Sequence, residues 1–99
     1  MNYAIHPAAA LEHEEQVAYY EARVPGLGQR YHAAFHSALS RVCDAPDRYK
    51  IIQAPGIRLL HFHGFPFSLI YRTAGDIVHV LAVAPHRKRP GYWAQRLSL

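Results

Sequence analysis

Hydrophobic and polar residues follow a helical period through the first half of the chain. Residues 8–24 contain no glycine or proline and are rich in Ala, Leu, Glu and Gln, which favour helix, and Pro7 suits a first helical turn. After the Pro-Gly break at 25–26, apolar residues recur at helical spacing, which predicts a second helix over residues 27–44. The apolar positions of this helix are Leu27, Tyr31, Ala34, Phe35, Ala38, Leu39 and Val42. Because the connection is short, we expect an antiparallel helical hairpin.

The second half of the chain changes to runs that are typical of strands. Three β-rich runs, at residues 57–63, 66–72 and 77–84, are separated by short gaps that contain turn residues, which predicts an antiparallel meander. The last run is apolar at nearly every position and is expected to be a central strand buried on both faces. A further strand is expected at residues 2–6, whereas residues 45–55, with two prolines, are expected to form a loop.

Helices segregated from strands indicate the α+β class. The predicted order is an N-terminal strand, an antiparallel helical hairpin, a three-stranded antiparallel meander and a short C-terminal tail, with a fragment of helix at residues 95–97. A chain of 99 residues without repeats or low-complexity segments is expected to be a single domain over residues 1–99.

Composition and charge narrow the function classes. The chain is 51% hydrophobic with a formal net charge of +4, so it is globular and suits an acidic partner: nucleic acid, an anionic membrane or an acidic protein. The single cysteine, Cys43, excludes an internal disulfide framework. No apolar run approaches membrane-spanning length, and the first ten residues do not resemble a secretory signal. We therefore expect a cytoplasmic protein without a membrane partner.

The densest chemical signal follows the last predicted strand. It consists of four basic or titratable residues and two aromatic residues: His86, Arg87, Lys88, Arg89, Tyr92 and Trp93. Lysine and arginine contact phosphates, and aromatic rings stack on unpaired bases. In a ribonuclease, His86 would transfer the proton, the arginines would offset the developing charge, and Tyr92 would stack or act as an acid. The alternative is a solvated segment whose Tyr92 and Trp93 dock into the core.

A second candidate is a pair of arginines in the meander. A hairpin that turns at Gly64 is expected to bring Arg58 roughly opposite Arg72, where two cations on one strand surface could clamp a phosphate. The alternative is that both are solvent-facing or salt-bridged side chains.

Two further groups of residues are better explained by structure than by chemistry. His61 and His63, with His79, could hold zinc or copper, but no carboxylate or second cysteine stands at ligand spacing, so we expect no metal and no cofactor. Favourable charge in the first half of the first helix explains its acidic residues better than a catalytic carboxylate pair does. These acidic residues are Glu12, Glu14 and Glu15.

Three stretches of the chain resemble the RelE/ParE superfamily of toxins, often labelled plasmid-stabilisation proteins. They are residues 15–21 running into 25–31, residues 65–72, and residues 80–93, in the order of the family and together spanning nearly the whole chain. The resemblance implies a strand, a helical hairpin and an antiparallel meander. It also implies an antitoxin partner, expected to be acidic, whose C-terminal segment wraps and masks the toxin in a hetero-oligomer.

The superfamily has two main activities, and the resemblance implies different site residues for each. RelE-like members cut messenger RNA on the ribosome, for which Arg58, Arg72, His86 and Tyr92 would be the catalytic residues. ParE-like members poison DNA gyrase, for which the target-binding residues would be Arg87, Lys88, Arg89, Tyr92 and Trp93. No lysine lies between positions 51 and 87, and the Pro-Gly-Leu-Gly turn and the C-terminal segment look more ParE-like. We therefore favour a gyrase-binding toxin, with an endoribonuclease and a non-toxic nucleic-acid-binding or degenerate module as alternatives.

Overall fold

The computed structural model describes residues 1–98, which form a five-stranded sheet with a helical hairpin on one face. The elements are β1 (Asn2–Ile5), α1 (Pro7–Arg23), α2 (Leu27–Asp44), β2 (Lys50–Gln53), β3 (Ile57–His61), β4 (Phe67–Ala74), β5 (Ile77–Pro85) and a C-terminal 3-10 helix (Ala94–Ser98). The strand order in the sheet is β1-β5-β4-β3-β2. Strand β1 is parallel to β5, and the other neighbours are antiparallel.

The helical hairpin confirms the prediction from hydrophobic period. Helix α2 occupies the predicted residues and buries Tyr31, Phe35, Leu39 and Val42 of the apolar stripe. At the turn, Gly26 has a φ of 86°, a left-handed conformation that glycine adopts without a steric penalty.

Gly28 and Glu21 hold the start of α2 against α1. A Cβ atom on Gly28 would lie 2.5 Å from the carbonyl oxygen of Val17, so only glycine allows this close approach. The Glu21 carboxylate accepts hydrogen bonds from the backbone N–H groups of Gly26, at 2.7 Å, and Gly28, at 3.0 Å. Because α2 has no side-chain cap of its own, Glu21 supplies acceptors for its N-terminal donors.

The α+β class and the position of the last strand are confirmed, but the predicted number of meander strands is wrong. Strand β5 lies between β1 and β4 and is largely buried. The antiparallel part has four strands because β2 forms inside residues 45–55, which were predicted to be a loop. All four residues of this strand are exposed, and its register with β3 is irregular. Its sequence therefore lacks the alternation of apolar and polar residues by which a strand is recognised.

The two faces of the sheet bury different cores. On the helix face, which packs against α1 and α2, the core includes Tyr31, Phe35, Phe67, Leu69 and Tyr71. On the opposite face, here called the outer face, a second core consists of Ile57, Ile70, Leu81, Ala82 and Trp93. Within residues 1–98 there is no helix with the length and apolar character needed to cross a membrane.

Candidate functional site

The basic segment predicted from the sequence lies at the end of β5. Its first residue, His86, is fixed by a hydrogen bond from its backbone N–H to the carbonyl oxygen of Pro66, at 2.9 Å. The side chains of Arg87, Lys88 and Arg89 are exposed and follow one another around a turn. The described residues make no side-chain hydrogen bond or ion pair with Arg87 or Arg89. The segment therefore presents three cations to solvent.

Tyr92 and Trp93 point inward and hold this segment on the outer face. Trp93 is only 4% exposed and packs with Ile70, Leu81 and Ala82 in the second core. Tyr92 is half-buried, and the Lys88 ammonium lies 4.7 Å from the centre of its ring, within the range of a cation–π contact. Of the two interpretations left open by the sequence, the structure shows the one in which both rings dock.

Glu12 is the polar anchor of the C-terminal segment. Its carboxylate accepts two parallel hydrogen bonds from the Arg96 guanidinium, at 2.9 and 3.0 Å, and a third from the Tyr92 hydroxyl at 2.7 Å. It also accepts a hydrogen bond from the backbone N–H of Val83 at 3.1 Å, and Arg96 donates to the carbonyl oxygen of Leu81 at 3.0 Å. Glu12 and Arg96 thus bind backbone groups of β5 beyond the point where β1 ends.

The sequence interpretation of Glu12 is incomplete, because it considered only the helix dipole. Glu12 lies outside the first turn of α1, which contains no acidic residue. A carboxylate that accepts four hydrogen bonds in a half-buried position is a structural centre. A signal was present, since Arg96 is a lone cation in an otherwise uncharged tail, but pairing residues this far apart in sequence requires the fold.

The environment of Tyr92 fixes its protonation state. Burial raises the pKa of Tyr92, and the hydrogen bond to Glu12 raises it further. The separate hydrogen bonds that Arg96 donates to the Glu12 carboxylate raise the pKa of Arg96. At neutral pH Tyr92 is therefore a protonated hydrogen-bond donor whose proton is already held by Glu12, which disfavours a role in proton transfer.

A groove of about 570 Å³ opens on the outer face beside the basic segment. Its apolar lining includes Leu59, Ile70 and Trp93, and its polar lining includes Lys88 and Arg89. None of the lining residues identified among positions 1–98 is Asp or Glu. The groove therefore combines an apolar floor with a cationic rim.

At one end of the groove, two histidines and a serine converge. The Nδ1 atom of His61 lies 2.6 Å from Oγ of Ser68, and Nε2 of His86 lies 3.0 Å from the same oxygen. The two ring nitrogens are 3.1 Å apart. Ser68 is only 2% exposed, whereas both histidines are exposed. We call this group the His-Ser-His cluster; it was not predicted as a group.

The hairpin register explains why this cluster was missed and why Arg58 and Arg72 are not directly opposite each other. Arg58 is opposite Tyr71 and His61 is opposite Ser68, so the true register differs by one residue from the predicted pairing of Arg58 with Arg72. A shift of one residue moves every side chain to the other face. Arg58 and Arg72 are therefore not cross-strand partners, although both line one pocket beside Ile57 and Thr73.

The two arginines instead make separate contacts. Arg58 donates to the carbonyl oxygens of Asp47 at 3.0 Å and Tyr49 at 2.7 Å, with the Asp47 carboxylate 3.8 Å away. Its guanidinium thereby fastens the loop between α2 and β2. Arg72 is directed toward the C-terminal 3-10 helix, where its guanidinium is 3.5 Å from the carbonyl oxygen of Leu97.

The three histidines considered as metal ligands are also dispersed. His61 belongs to the His-Ser-His cluster, His63 lies 3.3 Å from Arg41, and His79 is the cross-strand neighbour of Arg72. In the described part of the chain, no group of three or more His, Cys, Asp or Glu residues is placed to hold a metal ion.

Comparisons with known proteins agree with this architecture. A family model described as "ParE toxin of type II toxin-antitoxin system, parDE" matches residues 3–90. Among solved structures, the chain is similar to one from the chromosomal ParDE TA system of P. aeruginosa, with a TM-score of 0.76 and 17% sequence identity over 86% of this chain and 95% of that chain. No curated protein matches it. Because the family model covers most of its length, the chain belongs to the family of ParE toxins of type II toxin–antitoxin systems.

Proposed function

We propose that this ParE-family toxin, acting as one domain in the cytoplasm and without a cofactor, arrests growth by binding DNA gyrase and is neutralised by an acidic antitoxin. The observation that carries the proposal is the row of exposed cations Arg87, Lys88 and Arg89 on a segment held in place by Tyr92 and Trp93. A fixed cationic surface accelerates encounter with an acidic partner and fixes its orientation.

The contacts of the predicted catalytic residues favour binding over cleavage. Arg58 donates to backbone carbonyl oxygens, Arg72 is directed toward the carbonyl oxygen of Leu97, and the Tyr92 hydroxyl donates to Glu12. A nuclease needs such groups directed at one phosphate, whereas a binding toxin needs only the exposed surface.

Two features support an acidic antitoxin as the neutralising partner. The chain carries a net charge of +4. Strand β2 is an edge of the sheet, and its Ile51 and Ile52 are 50% and 38% exposed. An extended segment can add to such an edge through backbone hydrogen bonds, with apolar contacts to exposed side chains.

The test of the gyrase proposal is expression of the chain alone from a tightly controlled promoter. Colony survival, DNA supercoiling and messenger integrity are measured in the same culture, for the wild type and for the triple variant Arg87→Ala, Lys88→Ala, Arg89→Ala. We expect killing with altered DNA and intact messengers, and survival of the variant. The matched control removes three exposed cations elsewhere, with Arg30→Ala, Arg48→Ala and Lys50→Ala, and should still kill.

A RelE-like endoribonuclease is the second candidate, and the contact of His86 with His61 and Ser68 favours it. Two imidazoles beside a groove could act as acid and base on a phosphodiester. If this function is correct, the wild type breaks messengers while DNA remains normal. Arg72→Ala and His86→Ala should then abolish cleavage but leave antitoxin binding intact, and cleavage that survives both changes would rule out this site.

A further inference from the structure

We propose that the groove on the outer face is a binding site for a nucleoside phosphate, with the phosphate on the His-Ser-His cluster and the base on the apolar floor. The proposal goes beyond the toxin's action on a protein target, because it concerns a ligand of the toxin itself. It holds or fails independently of whether that target is gyrase.

The polar end of the groove has the donors that a phosphate requires. His61, Ser68 and His86 bring two ring nitrogens and one hydroxyl within 3.1 Å of one another. A neutral ring nitrogen either donates or accepts, so the contact between the two histidines leaves only one ring N–H and one hydroxyl hydrogen for three contacts. An oxyanion placed on the groove side of the triangle formed by these atoms would accept hydrogen bonds from all three. Ser68 is only 2% exposed and lies within β4, so the strand holds its side chain in place.

The positive charge of the groove lining favours an anion over a metal ion at the His-Ser-His cluster. Lys88 and Arg89 contribute cations to the lining, and no Asp or Glu belongs to the lining residues identified between positions 1 and 98. A cation would be repelled here and would find no carboxylate ligand. A phosphate, with several acceptor oxygens, matches converging donors and nearby cations better than a carboxylate with two.

The remaining part of the groove has the size and surface for a flat apolar group. The apolar floor next to the His-Ser-His cluster is formed by Leu59, Ile70 and Trp93. The volume of about 570 Å³ lies within the usual range of small-molecule sites. A nucleobase attached to the phosphate would cover this apolar floor, whereas inorganic phosphate would leave it exposed to solvent.

The first experiment measures binding to the purified chain by calorimetry and follows the histidine ring protons by NMR. The probes are adenosine 5′-monophosphate, adenosine, inorganic phosphate and a short acidic peptide. We expect the monophosphate to bind at least about tenfold more tightly than the other three, since each of them lacks either the base or the phosphate contacts. A peptide or inorganic phosphate that binds as tightly as the monophosphate would overturn the proposal.

Variants of the cluster test the location. Ser68→Ala should weaken binding of the monophosphate by about tenfold or more. His86→Gln should have the same effect, and because His86 is exposed this second variant leaves the buried strand unchanged. His63→Gln is the matched control, because His63 lies two residues beyond His61, past the end of β3, but contacts Arg41 instead, and it should bind like the wild type. Unchanged binding in both cluster variants would overturn the assignment.

The source of the nucleoside phosphate is distinguished by a further pair of probes. Hexa-adenylate RNA and its DNA equivalent are compared with the monophosphate on the same chain. Tighter binding of an oligonucleotide, lost in His86→Gln, identifies a nucleic-acid strand as the ligand. Equal or weaker binding identifies the free nucleotide. No binding of either oligonucleotide or of the monophosphate at millimolar concentration would overturn the proposal, whatever the toxin does to gyrase.

Discussion

The helix face and the outer face of the sheet are covered in different ways. On the helix face, the rings of Tyr20, Tyr31, Phe62, Phe65 and Phe67 interlock under two long helices. On the outer face, a single C-terminal segment covers one part of the sheet through Trp93, and the groove opens beside it.

This difference assigns stability mainly to the helix face and ligand binding mainly to the outer face. A face packed by aromatic rings buries most of the apolar surface and excludes water. A face covered by one segment leaves Ser68 and two histidines within reach of a ligand while the sheet beneath stays rigid. The exposed cations Lys88 and Arg89 line the groove on this lightly covered side. Binding groups placed on a rigid sheet keep their geometry without being buried themselves.

The largest effects are expected from deleting one large ring on each face. Phe35→Ala and Trp93→Ala should each lower the free energy of unfolding by about 4 kcal/mol, because both rings are buried and leave a cavity. Hydrogen exchange should differ between them. Phe35→Ala should accelerate exchange throughout the chain, and Trp93→Ala mainly in residues 86–98. Equal acceleration in α2 by both variants would show that the two faces unfold as one unit.

Glu12 connects the two regions, and its removal should have the next largest effect. Glu12→Gln leaves Arg96 half-buried without its carboxylate, so we expect a loss of about 3 kcal/mol in urea unfolding. The pKa of Tyr92 should fall toward its ordinary value, because the hydrogen bond to Glu12 helps to raise it; ultraviolet titration measures this. Glu14→Gln, an exposed change on the same helix, should alter neither quantity.

His13 makes the helix face sensitive to acid. Its ring stacks on Phe35 with centres 4.1 Å apart, and burial, followed by the charges of His32 and His36, lowers its pKa from 6.5 to about 4. Between these values the unfolded chain binds a proton that the folded chain does not, so stability falls as pH drops from about 6.5 to about 4.

The expected loss from His13 is about 2 kcal/mol, less than the full shift implies, because the ring of His13 is hydrogen-bonded to the exposed His32 and solvent screens that side of the site. Unfolding free energies measured across this pH range test it. His13→Phe should flatten the dependence, and His63→Gln, on an exposed residue, should retain it. A slope that survives His13→Phe would assign the acid sensitivity to other groups.

The helix face was largely predictable from the sequence, and the outer face was not. Helical periodicity is a local signal, and it placed Tyr31, Phe35 and Val42 in the core before the fold was known. The outer face depends on register: the cross-strand partner of Arg58 is Tyr71, one residue away from the predicted partner Arg72. That single shift hides the pairing of His61 with Ser68.

The C-terminal segment illustrates the second limit of local patterns. Its basic and aromatic residues were predicted as a group, but whether Tyr92 and Trp93 face solvent or the core depends on partners far away in sequence. The carboxylate that holds Tyr92 comes from α1. The bulge that leaves Leu81 unpaired with β4, so that Arg96 can bind its carbonyl oxygen, also has no local marker.

Substitutions of two fully buried tyrosines on the helix face are expected to give the smallest changes in the free energy of unfolding, and the two changes should have opposite signs. The Tyr71 hydroxyl donates to the carbonyl oxygen of Pro46 at 2.6 Å, whereas the Tyr31 hydroxyl has no hydrogen-bond partner among residues 1–98. Both side chains are 0% exposed, so each Tyr→Phe change removes one oxygen from a similar environment. Tyr71→Phe should lower the free energy of unfolding by about 1 kcal/mol, because Pro46 loses its donor.

Tyr31→Phe should instead raise the free energy of unfolding by about 1 kcal/mol, because it removes a desolvated hydroxyl that no described residue compensates. Urea unfolding of the two variants beside the wild type measures both signs under identical conditions. A destabilised Tyr31→Phe would mean that its hydroxyl has a partner in solution, such as a buried water. The helix face would then be less dry than its aromatic packing indicates, and the contrast with the solvent-accessible outer face would be correspondingly weaker.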